Sequence, residues 1–134
     1  MNTLLSIWIA LFGVTVSEQN IKTIEFENVT NAIYREFGAD DFCMAYAIFR
    51  SESGLVPSRE GDNGSSIGIA QINLPAHGKK IPGKTIDEKK AWLKNFQNNI
   101  HYAKQIKDKS GFYPWSNYKN GNYEVFYNPN CLQK

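Results

Sequence analysis

Histidine and cysteine are scarce in this chain, two of each among 134 residues. His77 and His101 are scattered, as are Cys43 and Cys131, so no group has the spacing of a metal-ligand set. An excess of one charge is also missing: 15 Lys and Arg stand against 13 Asp and Glu, a formal +2. The basic residues are dispersed apart from the pairs Lys79-Lys80 and Lys89-Lys90. A nucleic-acid protein concentrates its charge in a stripe, and none is visible. No apolar run reaches the roughly twenty residues of a membrane-spanning helix. Repeats and low-complexity segments are lacking too. What remains is a chain of one domain, long enough for a real core.

The longest apolar run, Leu4 to Val16, carries no charge and has the length of a signal-peptide h-region. Thr15 and Ser17 are small enough for a cleavage point. Residues 1–17 are therefore expected to be an export segment and 18–134 the working domain. The run has no Lys or Arg before it, and uncleaved it would serve as a short anchor or a buried first helix. Export bears on the cysteines. In an oxidising compartment Cys43 and Cys131 would bridge the C-terminal tail to the central helix; in a reducing one they would be two buried thiols. The closing Asn128-Pro-Asn-Cys131 has little else to hold it down, which favours the bridge.

Apolar residues at helical spacing predict a helix over Val29–Phe37, ending at Gly38. Asp40 or Asp41 is then placed to cap a central helix that buries Phe42, Ala45, Tyr46 and Phe49. Gly54 and Pro57 stop it. Ser58 to Ser66 is polar with Asp62-Asn-Gly64 as a turn, and reads as an irregular hairpin. Ile67 to Ile72 is too short for periodicity to decide between strand and helix. Thr85 and Glu88 make a capping box that opens a helix containing Trp92 and Leu93. Phe96, Ile100, Ala103 and Ile106 mark another, ending near Ser110-Gly111. The tail is rich in aromatics. The fold class expected is α+β, mostly helical, in one domain with a small β-hairpin beside the central helix.

Glu52 is the residue that carries chemistry. It lies three and four positions after Phe49 and Ile48, at the border of the buried stripe and in the last helical turn. Partial burial and the negative end of the helix both disfavour its charged form, which is how a carboxyl becomes a general acid at neutral pH. On spacing alone it would pass for an ordinary helix-end Glu. Its surroundings add more. Glu52-Ser-Gly54, Gly68-Ile-Ala-Gln-Ile-Asn73 with Leu-Pro-Ala-His77, Asn98-Asn-Ile-His-Tyr-Ala103 and Gly111-Phe-Tyr-Pro-Trp-Ser-Asn-Tyr118 follow one another in an order that resembles the lysozyme-like superfamily. The likeness is to its small soluble lytic transglycosylase type, found in bacteria and their phages, and it spans roughly Phe42 to Tyr123.

That resemblance implies a lysozyme-like fold and the cleavage of peptidoglycan between N-acetylmuramic acid and N-acetylglucosamine, with no metal or cofactor. Breaking a glycosidic bond needs a proton on the leaving oxygen and stabilisation of an oxocarbenium-like centre. Glycosidases use two carboxylates, roughly 5–5.5 Å apart for retention or 6.5–9.5 Å for inversion. Ser66 matches the place where animal c-type lysozymes carry their second acid, so that nucleophile is missing. Glu60 and Asp62 are the candidates left, although Asp62-Asn-Gly is also a natural turn in which Asp bonds its own backbone. With one acid, the resemblance implies the transglycosylase route: Glu52 acts first as acid and then as base, and the sugar's own C6 hydroxyl closes an anhydro ring.

Gln71 and Asn73 are carried over as substrate-binding residues, with capping and turn bonding as their alternative use. Trp115 and Tyr118 are candidates to line the cleft and stack on sugar, with core packing as the alternative; His77 is a weaker one. Asn98 and Asn99 are expected to hold a helix against the active-site loop. Two other functions stand beside the main one: a hydrolase using water with Asp62 or Glu60, and a non-catalytic peptidoglycan-binding module. Partners expected are glycan strands, and membrane only through residues 1–17 if these are uncleaved. A monomer is the default.

Overall fold

The computed structural model describes residues 6–9 and 14–133. Residues 1–5 and 10–13 of the expected export segment lie outside these. Between them, Ser6–Ile9 (β1) pairs antiparallel with Val14–Ser17 (β2), Ser6 opposite Ser17. Among the described residues no helix is long and apolar enough to cross a membrane.

Glu18–Ser53 (α1) is a 36-residue helical run broken at Gly38, whose φ of 76° and ψ of 174° lie outside helical space. The sequence pattern begins this element at Val29, but the helix opens at Glu18. Ser17 is its N-cap, with Oγ accepting the N–H of Asn20 at 3.2 Å. Residues 22–28 are all exposed, so they carry no apolar stripe for a pattern to detect. The caps expected from Asp40 or Asp41 are replaced by another contact: the Asp41 carboxylate receives Lys107 Nζ at 2.6 Å.

Beyond the break, Ala45, Ala47, Ile48 and Phe49 have no exposure at all. Three consecutive buried positions cannot share one face, so the helix is enclosed on several sides. Phe42 and Tyr46, expected on its buried face, are only partly buried. The Tyr46 hydroxyl accepts Arg50 Nη1 at 2.9 Å. Gly54 terminates the helix at φ 66°, its N–H reaching Arg50 O at 2.9 Å.

Glu60–Gly61 (β3), Ser66–Ile67 (β4) and Ile72–Asn73 (β5) form an antiparallel sheet in that order, with Ile67 opposite both Glu60 and Ile72. The polar stretch after Glu52 is thus the expected hairpin, and the short apolar run resolves into two strands. The loop between them passes under a later helix at Gly68. A Cβ there would stand 2.3 Å from Asn99 Nδ2 and 2.7 Å from the Leu93 carbonyl oxygen, and φ is +81°, so only glycine fits.

Leu74–His77 (α2) is one turn, capped by Asn73 Oδ1 on the Ala76 N–H at 3.0 Å. Ile86–Lys94 (α3) opens with the Thr85–Glu88 capping box that the sequence signals. Phe96–Ser110 (α4) ends at Gly111. The tail holds Ser116–Lys119 (α5) and a 3-10 turn at Asn122–Phe126. A disulfide between Cys43 and Cys131 pins it to α1, with Cα atoms 5.8 Å apart. Its sequence separation of 88 residues makes it a strong constraint on the unfolded chain. Replacing both cysteines with serine is expected to lower unfolding free energy by about 2–4 kcal/mol in a denaturant titration. The architecture is α+β and mostly helical, with one small sheet beside the end of the central helix.

Candidate active site

Glu52, Asp62, Ser66, Gln71, Asn73, Pro114, Trp115 and Ser116 line a cleft of about 250 Å³. Four parts of the chain meet here: the end of α1, the β3–β4 turn, the β4–β5 hairpin and the segment entering α5. Each is held by contacts behind the cleft. Ser53, one residue past the acid, bonds through its buried Oγ to the Phe49 and Ile69 carbonyls at 3.1 and 2.7 Å, and accepts the Leu55 N–H at 3.1 Å. The helix end is thereby fastened to the sheet loop. Asn99, fully buried on α4, secures the same loop: its Oδ1 accepts the Ala70 N–H, and its Nδ2 donates to the Ile67 and Leu93 carbonyls, all within 2.9 Å. This is the holding role expected of it. Asn98 acts locally, donating to the Trp92 carbonyl at 3.1 Å.

The Glu52 carboxyl is half-buried, and its Oε2 accepts the backbone N–H of Asn117 at 3.3 Å. Its pKa is raised above the ordinary 4.5, with desolvation by burial the largest cause. The Asn117 N–H favours the charged form and works against the shift, and the negative charge of Asp62 adds to it. Burial wins, so the group keeps its proton further toward neutral pH. The orienting N–H of Asn117 is a part of the site that side-chain patterns do not reveal, because a backbone amide carries no sequence signature.

Asp62 lies in the same cleft, in a turn where both it and Asn63 have positive φ, 51° and 58°. Asp at such a turn was expected to bond its own backbone, but its Oδ2 instead accepts the Ser66 hydroxyl at 2.7 Å. Ser66, buried on β4, therefore presents no carboxylate itself but fixes one from the neighbouring turn. Glu60 is on another course. Lys90 and Lys94 hold its carboxylate at 3.0 and 2.6 Å, lower its pKa, and draw it to α3. It does not line the cleft, so Asp62 is the one candidate second carboxylate that does.

Gln71 and Asn73 line the cleft, yet their amides are largely committed. Gln71 Nε2 donates to the Gly68 and Arg59 carbonyls at 3.0 and 3.2 Å. Asn73 caps α2 and donates to Ser66 Oγ at 3.4 Å. Trp115 lines the cleft by an edge while 5% exposed; its indole N–H donates to the Ala70 carbonyl at 2.9 Å, and its ring packs on Phe49 and Phe112. Trp115 is chiefly a wall and a brace. Tyr118 departs from the expectation: it is not among the cleft-lining residues and sits in an aromatic cluster with Phe112, Tyr113 and Tyr123. Aromatic residues five and six positions before it and five after it hold it there. His77 lies outside the cleft as well, bonded to the Tyr102 hydroxyl at 2.9 Å. No group of three or more His, Cys, Asp and Glu that could hold a metal occurs among the described residues. No family model, curated protein or solved structure matches the chain.

Proposed function

We infer that this protein is a lysozyme-like enzyme that cleaves the glycan strands of peptidoglycan, with Glu52 as acid and base of a lytic transglycosylase. The observation that carries this reading is Glu52 itself: a half-buried carboxyl with raised pKa, held by a backbone N–H, in a cleft with polar walls. A binding module needs no proton donor, whereas cleavage of a glycosidic bond does. In the reaction Glu52 gives its proton to the bridging oxygen as the glycosidic bond breaks. The substrate's acetamido group shares the positive charge at the anomeric carbon. The Glu52 carboxylate then takes the proton of the C6 hydroxyl, whose oxygen bonds to that carbon, and the acid is regenerated.

A specific observation supports a second reading. Asp62 shares the cleft and is held by Ser66, and in a hydrolase it would be the base that activates a water. Mass spectrometry of products released from purified peptidoglycan separates the two: anhydro-muramic ends for the transglycosylase, reducing ends for the hydrolase. Glycan binding with no cleavage of any kind would sink both.

The Asp62→Asn variant adds a pH signature. Under the single-acid reading it retains cleavage within a few-fold, whereas loss of a general base costs about 10²–10⁴-fold. In either case the negative charge that raises the Glu52 pKa is gone. The limb of the pH–rate profile at which Glu52 loses its proton should move to lower pH.

A further inference from the structure

We propose that a second pocket, between the His77 turn and the end of α4, binds a small oxyanion, either a carboxylate or a phosphate. The pocket measures about 250 Å³ and shares no lining residue with the Glu52 cleft. Its polar lining comes from His77, Lys80, Tyr102, Gln105, Lys109 and Ser110. Two of these are ammonium groups, Gln105, Ser110 and the bonded His77–Tyr102 pair can each donate a hydrogen bond, and no carboxylate is among them.

The two lysines are uncommitted. Ion pairs among the described residues engage Lys22, Lys90, Lys94, Lys104 and Lys107, but neither Lys80 nor Lys109. Asp108, beside Lys109 in sequence, is held by Lys104 at 2.7 Å. His77 is fixed at the pocket edge by the Tyr102 hydroxyl on its Nδ1 and by an edge-on ring contact, centroids 5.4 Å apart. Whichever way that bond runs, the pair keeps one spare proton: on Nε2 when the phenol donates to Nδ1, on the phenol when Nδ1–H donates. Burial, and after it the charge of Lys80, disfavours the imidazolium.

One feature opposes an anion here. The carbonyl end of α4 carries about half a negative charge. Two full positive charges on exposed side chains outweigh it, and the buried Tyr102 ring with the half-buried Ile106 gives the pocket one apolar side. The proposal does not depend on the glycan reading.

The test is a titration of the isotope-labelled full chain by NMR in a chloride buffer. Inorganic phosphate and N-acetyl-alanyl-alanine, whose only charge is its terminal carboxylate, are added in parallel. Saturable shifts confined to residues 77–80 and 102–110, with a Kd on the order of millimolar, are expected from at least one of them. Saturation by phosphate alone assigns a phosphate site, and by the dipeptide alone a carboxylate site. Lys80→Ala and Lys109→Ala should each weaken binding by about tenfold, while Lys79→Ala, outside the pocket, should not. Shifts that never saturate, or saturate equally in Lys80→Ala and Lys109→Ala, would overturn the proposal.

Discussion

Glu52→Gln is expected to cut cleavage of purified peptidoglycan by about 10²–10⁴-fold while raising the stability of the fold at neutral pH. The two effects have one cause. Glutamine keeps the shape and can still accept the Asn117 N–H, but it has no proton to give and no charge to desolvate. The stability effect has a definite pH course. Because burial raises the folded-state pKa above 4.5, there is a window in which the unfolded chain has released this proton and the folded chain has not. Stability falls as pH rises through that window, and the loss persists above it. The variant escapes this loss. Its unfolding midpoint should therefore exceed that of the natural sequence at pH 7, and the gap should close as pH falls below 4.5. A variant as active as the natural protein would remove Glu52 from the chemistry. A variant less stable at pH 7 would mean that the carboxylate is better satisfied than its burial implies.

Asn99→Ala is expected to be the most damaging change to the fold, on the order of 4–5 kcal/mol in a denaturant titration. The side chain is fully buried and satisfies one N–H and two carbonyl groups of backbone that water cannot reach. Deleting it leaves all three unpaired, at about 1–3 kcal/mol each, besides opening a cavity. The damage should reach the site, since Ile67 and Ala70 belong to the hairpin that carries Ser66, Gln71 and Asn73. Gly68→Ala attacks the same junction from the other side by pressing a methyl group into the amide. Losses under about 1 kcal/mol in Asn99→Ala would mean that the loop is held by something else.

The parts of this structure that were legible in the sequence are those in which one residue type has one local use. Gly54 as the stop after Glu52, the Thr85–Glu88 capping box and the Asp62-Asn-Gly turn are of that kind. Asn99 and the Cys43–Cys131 bridge were also legible, each as a long-range tie with few competing uses. What could not be read is what three-dimensional competition decides. Tyr118 carries nothing that says whether its ring will face sugar or other rings, and here the rings of Phe112, Tyr113 and Tyr123 hold it. Gln71 and Asn73 line the cleft, but the backbone claims their amides first. Residues 18–28 of α1 escaped notice because an exposed helix stabilised by its cap and its continuation shows no apolar period.

The contact between Glu52 and the N–H of Asn117 spans 65 residues of sequence. A ribosome therefore makes the acid long before it makes the group that orients it, or Pro114, Trp115 and Ser116, which close that side of the cleft. The bridge that anchors this last portion waits still longer, for Cys131. A nascent or truncated chain has its carboxyl without its setting. The finished site comes into being only when the tail has returned to α1, so competence arrives at the end of folding rather than with the helix that bears the acid.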